Sequence, residues 1–126
     1  MADICEQLAI AAQEAARLAR GVNSTQLTDR TPCPEYDLRA LAAHLMQEIV
    51  LHSWDLAAAT RQVPRFPDEV AATVLRWLEH EQDAKRADDW YERPVPTAST
   101  SVLDRAVALS GRDPKWRATS LNAEAT

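Results

Sequence analysis

The stretch HLMQEIVLH, His44 to His52, sits inside LRALAAHLMQEIVLHSWDLAAAT, a run from Leu38 to Thr60 with neither Gly nor Pro. Nothing in it interrupts an i to i−4 hydrogen-bond ladder, and its residues are mostly good helix formers, so it predicts one long helix over 38–60. Asp37 stands directly before it as an N-cap, and Val63-Pro64-Arg65-Phe66-Pro67 ends it. Leu38, Leu41, Leu45, Ile49 and Leu56 recur at helical spacing and mark one apolar face.

Working outward, the flanking segments also read as helical. Ile4, Leu8, Ala11, Ala15, Leu18 and Val22 alternate spacings of four and three, the stripe of an amphipathic helix over 3–20 that Gly21 is placed to end. Residues 23–36 are polar and carry Pro32 and Pro34, which predicts an extended linker. A third helix is predicted over 67–87, where Pro67, Asp68 and Glu69 suit the positive end of the dipole; Val70, Val74, Trp77 and Leu78 should face inward. The segment DDWYERPVPTAST, 88–100, holds Pro94 and Pro96 and reads as irregular. Ser101 and Asp104 have capping-box spacing before Leu103, Val107 and Leu109, and Gly111 closes a short fourth helix over 101–111. The tail from Arg117 should fray. With only two Gly in 126 residues, tight hairpins are disfavoured and the fold class is all-α.

The length and the 46% hydrophobic content suit a single globular domain over 1–126. A formal charge of −5 with no basic run argues against nucleic acid as a partner. The N-terminal MADICEQLAIAAQEAARLAR lacks the basic-then-apolar order of a secretion signal, and no apolar run is long enough to span a bilayer, so a cytoplasmic protein without membrane partners is expected. The two cysteines would then be reduced: Cys5 is expected to pack, and Cys33, between two prolines in TPCPEYD, has no adjacent base to activate it.

Three residues carry the chemistry of the long helix. At about 100° per residue, His44, Glu48 and His52 drift slowly around the axis and share a side with Asp55, beside the apolar stripe. Partners four residues apart can grip one ion, as paired histidines do in helical zinc sites. Eight residues rise about 12 Å, however, whereas zinc donors lie only about 2 Å from the ion. One helix therefore supplies two ligands and strands the third. The plain alternatives are a hydrogen-bonded boundary histidine and a surface Glu–His pair. Asp55 reads either as a surface carboxylate or as a support for a ligand. His80, in LEHEQD, lies on an acidic, solvated face.

Three blocks together resemble a known family. TPCPEYDLRALAAHL is similar to the start of the second helix in the mycothiol-dependent maleylpyruvate isomerase family, within the DinB-like metal-binding four-helix bundles. EIVLHSWDLAAAT resembles that family's later E-x-x-x-H helix, and RPVPTASTSVLDRAVALSGRDPKW its C-terminal segment. The resemblance implies a divalent metal, usually zinc, held at His44, Glu48 and His52. It also implies mycothiol as the thiol partner and an electrophilic small-molecule substrate for isomerisation or thiol transfer. Family members carry a long block between the first His and the E-x-x-x-H helix, whereas here LAAHL runs straight into MQEIVLH, as if two helices were fused. A homodimer would compensate: two long helices crossing antiparallel near Glu48 would bring His44 of one copy to Glu48 and His52 of the other, and helices one and two of each copy would make a four-helix bundle. The alternative expectation is a non-catalytic helical remnant or interaction module without metal.

Overall fold

The computed structural model describes residues 3–87 and 92–118. Four helices run among the described residues, α1 (Ile4–Arg20), α2 (Leu38–Thr60), α3 (Asp68–Ala87) and α4 (Val102–Leu109), with a 3-10 turn at Ser24–Gln26. Among the described residues there is no strand, only an isolated antiparallel bridge between Arg30 and Asp37, so the chain is all-α. It divides into two compact units, Met1–Ala42 and Ala43–Thr126. The expected fraying beyond residue 118 and the irregular path at 88–91 lie outside the described residues.

In the first unit, α1 begins with the apolar pattern at Ile4, one residue after the expected start at 3, because Asp3 is its cap, accepting from the Glu6 N–H at 2.8 Å. Gly21 ends it at φ −81°, an ordinary right-handed cap that does not need glycine. The expected packing of Cys5 is not found: Cys5 is exposed because α1 buries none of its residues, and Cys33 in the linker is exposed as well. The apolar stripe is present, but Ile4, Leu8 and Leu18 are all exposed. The linker is tighter than an extended strand. Asn23 and Gln26 form a reciprocal capping box around the 3-10 turn. The Thr31 hydroxyl donates to the Cys33 and Tyr36 carbonyls and accepts from the Cys33 N–H. The Leu38 and Arg39 N–H groups donate to Asp29 and Leu27, and the Asp37 carboxylate accepts from the Ala40 N–H at 2.9 Å. Three donors of the first turn of α2 thus find partners before the helix ladder begins.

The second unit holds the core. Val50 and Leu51 of α2 meet Val74, Leu75 and Leu78 of α3 and Ala106 of α4, with Met46, Phe66, Val70, Val102, Leu103 and Leu109 packed against them. On α3 the buried positions are Ala71, Val74, Leu75 and Leu78, at helical i, i+3, i+4, i+7 spacing. Trp77, expected to face inward, is only half-buried; its ring lies edge-on to His80, centroids 6.2 Å apart, on the flank of the helix. Small Ala106 and Ala108, fully buried beside Val107, let α4 come close to α3, and the Val95 N–H donates to the Ala108 carbonyl at 2.8 Å.

The largest correction concerns α2. Of the stripe read as its apolar face, Leu38 and Leu41 are half-buried and the rest is outer: Leu45, Ile49 and Leu56 are 51%, 51% and 48% exposed. Ala43, Gln47, Val50, Leu51, Trp54 and Ala57 are buried instead. Taking His44 as zero, the buried set spans roughly 220–340° around the axis, and the exposed Leu and Ile positions roughly 100–140°. Both arcs have helical spacing, so apolar periodicity alone cannot tell which one the core covers. No described helix is long and apolar enough to cross a membrane.

Candidate metal centre

The long exposed side of α2 carries the candidate ligands. Glu48 and His52 are one turn apart, and the Glu48 Oε2 lies 3.5 Å from His52 Nε2. Two donors each about 2.0–2.1 Å from a tetrahedral ion stand roughly 3.3 Å apart, so this pair has the spacing of two ligands on one zinc. The pair fits a divalent ion of the zinc, iron or nickel kind, since imidazole and carboxylate suit all three.

The other face of the imidazole is tied down. His52 Nδ1 lies 3.0 Å from Asp55 Oδ2. Asp55 in turn is gripped by Arg112, whose Nε donates to Oδ1 at 2.6 Å and whose second terminal nitrogen donates to Oδ2 at 2.9 Å. The Arg112 guanidinium holds the Asp55 carboxyl below its ordinary value, partial burial opposes this, and His52 adds to the lowering. An ionised carboxylate only accepts, so the 3.0 Å contact with Asp55 favours a proton on Nδ1; the Glu48 carboxylate faces Nε2 from the longer distance of 3.5 Å. Arg112 is itself anchored: its remaining terminal nitrogen donates to the Ser110 hydroxyl at 3.0 Å, and that buried hydroxyl donates to the Val107 carbonyl at 2.7 Å.

His44 is half-buried on α2, about 12 Å along the axis from His52. Among the described residues, no three His, Cys, Asp or Glu side chains form a group able to hold a metal ion. The structure therefore brings together Glu48, His52 and Asp55 and leaves His44 outside. Arg112 and Ser110 were not singled out in the sequence. They lie more than fifty residues beyond Asp55, and no local spacing could pair them with it; the sole signal was an acid three residues after His52, a carboxylate in need of a cation.

Two of the clefts in this unit are bordered by Trp54. One of about 350 Å³ is bordered by Trp54, Asp55, Ala58, Arg112 and Trp116, next to the carboxylate that holds His52. A larger one of about 610 Å³, lined by Trp54, Arg61, Leu103, Asp104 and Arg117, contains none of the three ligand candidates. Fold and site together define an all-α protein with a carboxylate-supported Glu–His pair on the outer side of α2, the longest helix among the described residues. No protein-family model matches the chain, and searches of curated proteins and of solved structures find no significant match.

Proposed function

We propose that the chain is a divalent-metal-binding helical protein, zinc being the first candidate, related to mycothiol-dependent isomerases and thiol transferases and acting as a homodimer. The observation that carries this reading is the 3.5 Å Glu48–His52 donor pair, whose imidazole is turned toward the glutamate by Asp55. When bound, the ion would make a thiol or water nucleophilic at neutral pH, toward an electrophilic carbon of a small substrate. Glu48 and His52 would hold it, Asp55 orients His52, and Arg112 keeps Asp55 ionised.

The homodimer supplies what one chain lacks. In two α2 helices crossing antiparallel at Glu48, residue 44 of one copy is level with residue 52 of the other, so His44 of a second copy reaches the pair as third ligand. Leu45, Ile49 and Leu56, exposed beside the ligands, would be covered by the same crossing, with α1 and α2 of two copies forming a four-helix bundle.

The test is metal content by elemental analysis, with a complementation arm. Wild type should hold one ion per chain, and His52→Ala should hold none. His44→Ala and the Glu48→Ala/His52→Ala double variant should each fail to bind tightly. Refolded together in equal amounts, they should recover about a quarter of the wild-type metal per chain, because half of the dimers are mixed and each of those has one intact site. Full metal in His52→Ala would remove the reading; tight zinc on a monomeric wild type would remove the dimer alone. A second reading, a non-catalytic interaction module without metal, is favoured by the exposed apolar arcs of α1 and α2. It predicts a wild-type protein that associates through those arcs and carries no ion.

A further inference from the structure

The Asp55 carboxylate is shared. Its Oδ2 faces both an Arg112 terminal nitrogen at 2.9 Å and His52 Nδ1 at 3.0 Å, while Oδ1 is taken up by Arg112 Nε at 2.6 Å. A guanidinium can only donate, so it requires an acceptor at both positions that face it. It also fixes the plane of the carboxylate bidentately. The arginine does not swing freely, because Ser110 holds its third nitrogen and the Arg112 N–H donates to the Val107 carbonyl at 3.1 Å, closing the turn after α4. The turn after α4 therefore reaches the ring of His52 through one carboxylate, across 57 residues of sequence between Asp55 and Arg112.

We infer that Arg112 and Asp55 are positioning residues that set the tautomer of His52: the 3.0 Å hydrogen bond to Asp55 draws the proton to Nδ1 against the Glu48 carboxylate, which stands 3.5 Å from Nε2, and leaves Nε2 for a ligand-binding role. The inference rests on the metal reading for its purpose and not for its test. An ion pair that only staples α4 to α2 would contribute stability and leave the tautomer to the solvent. The relay instead makes a specific demand on substitution. In Asp55→Asn the amide has one acceptor, which Arg112 Nε claims while its terminal nitrogen loses the Oδ2 contact, so the amide N–H₂ turns toward Nδ1 and favours the proton on Nε2. A carboxylate-to-amide change of this kind next to a functional histidine is known to impose the wrong tautomer with little change of shape.

The experiment is long-range nitrogen–proton correlation NMR on the metal-free full chain, at an alkaline pH where the ring is neutral, followed by zinc titration. Wild type should show a protonated Nδ1 and an unprotonated Nε2 for His52. Asp55→Asn should show the reverse, and Arg112→Ala a mixture, since the carboxylate is then free to turn away. Zinc affinity should fall about 10- to 100-fold in both variants, the usual effect of removing the partner of a ligating histidine. An Nε2-protonated ring in wild type, or the same tautomer in all three proteins, would overturn the inference, as would zinc affinity unchanged within twofold. Should Arg112→Ala not fold, the near-isosteric Asp55→Asn decides alone. A wild type with the expected tautomer that binds no zinc would refute the metal reading and leave the positioning intact.

Discussion

Replacing Gly111 by Ala tests the turn on which Arg112 is mounted. Gly111 has φ +96°, and it donates its N–H to the Ala108 carbonyl at 3.0 Å as α4 ends. A Cβ there would stand 2.6 Å from Glu92 Cβ and 2.8 and 2.9 Å from the Glu92 carbonyl oxygen and carbon. Two of those three neighbours are backbone, so no side-chain rotation relieves them. The left-handed conformation costs an alanine about 1 kcal/mol, and forcing apart a packed contact costs about 1–3 kcal/mol. The two terms sum to a loss of about 2–4 kcal/mol. Moving Glu92 also pulls on Val95, whose N–H binds Ala108, and displaces the Arg112 backbone from Val107.

Gly21→Ala is the matched control. There φ is −81°, and the nearest atoms to an added Cβ are the Leu18 and Arg17 carbonyl oxygens at 3.4 and 3.8 Å, ordinary contacts. That substitution should be neutral or stabilise by about 0.4–1 kcal/mol by restricting the unfolded chain. All four tryptophans lie beyond residue 43, so urea unfolding followed by tryptophan fluorescence reports the unit containing α4, and circular dichroism adds α1. A loss below about 1 kcal/mol in Gly111→Ala, or equal losses at the two glycines, would refute the geometric reasoning.

Three further outcomes follow from the packing and charges. Leu78→Ala removes one of the most buried side chains in the core and should cost about 2–5 kcal/mol in urea unfolding, whereas Leu45→Ala at dilute, monomeric concentration should change stability by less than about 0.5 kcal/mol. Ser101→Ala deletes the hydroxyl that accepts from the Asp104 N–H at the start of α4 and should cost about 1 kcal/mol by the same assay. In metal-free protein, Asp55 is depressed in the folded state chiefly by its hydrogen bonds from Arg112. The unfolded chain then takes up the proton first as pH falls. The stabilisation is accordingly complete above the ordinary aspartate value and is lost as pH falls through the folded value. With the carboxylate 40% exposed, the effect should stay below about 1 kcal/mol, and Arg112→Ala should flatten that part of an acid-unfolding profile.

The helices were legible in the sequence because their stops are chemical: Pro64 and Pro67 cannot sit inside α2, and Asp37 and Ser101 accept the first N–H groups of their helices wherever the rest of the chain goes. The orientation of α2 was not legible for an equally physical reason. Leu45, Ile49 and Leu56 form a better apolar stripe than the buried set, which includes Ala43, Gln47 and Ala57, yet the latter faces α3 and α4. Small residues let helices approach closely, so the face with less apolar volume can be the one that packs. The same logic governs the site. Glu48 and His52 share a helix face by backbone arithmetic, whereas the Asp55–Arg112 clamp depends on where α4 ends, a tertiary fact with no local signature. A helix that is apolar on two opposite sides, with the Glu48–His52 pair beside the uncovered one, presents that pair where a second molecule has most to gain by docking. If Ile49→Glu leaves both the association state and the zinc stoichiometry unchanged, the outer stripe and the ligands it borders are unrelated features, and the case for a shared site collapses.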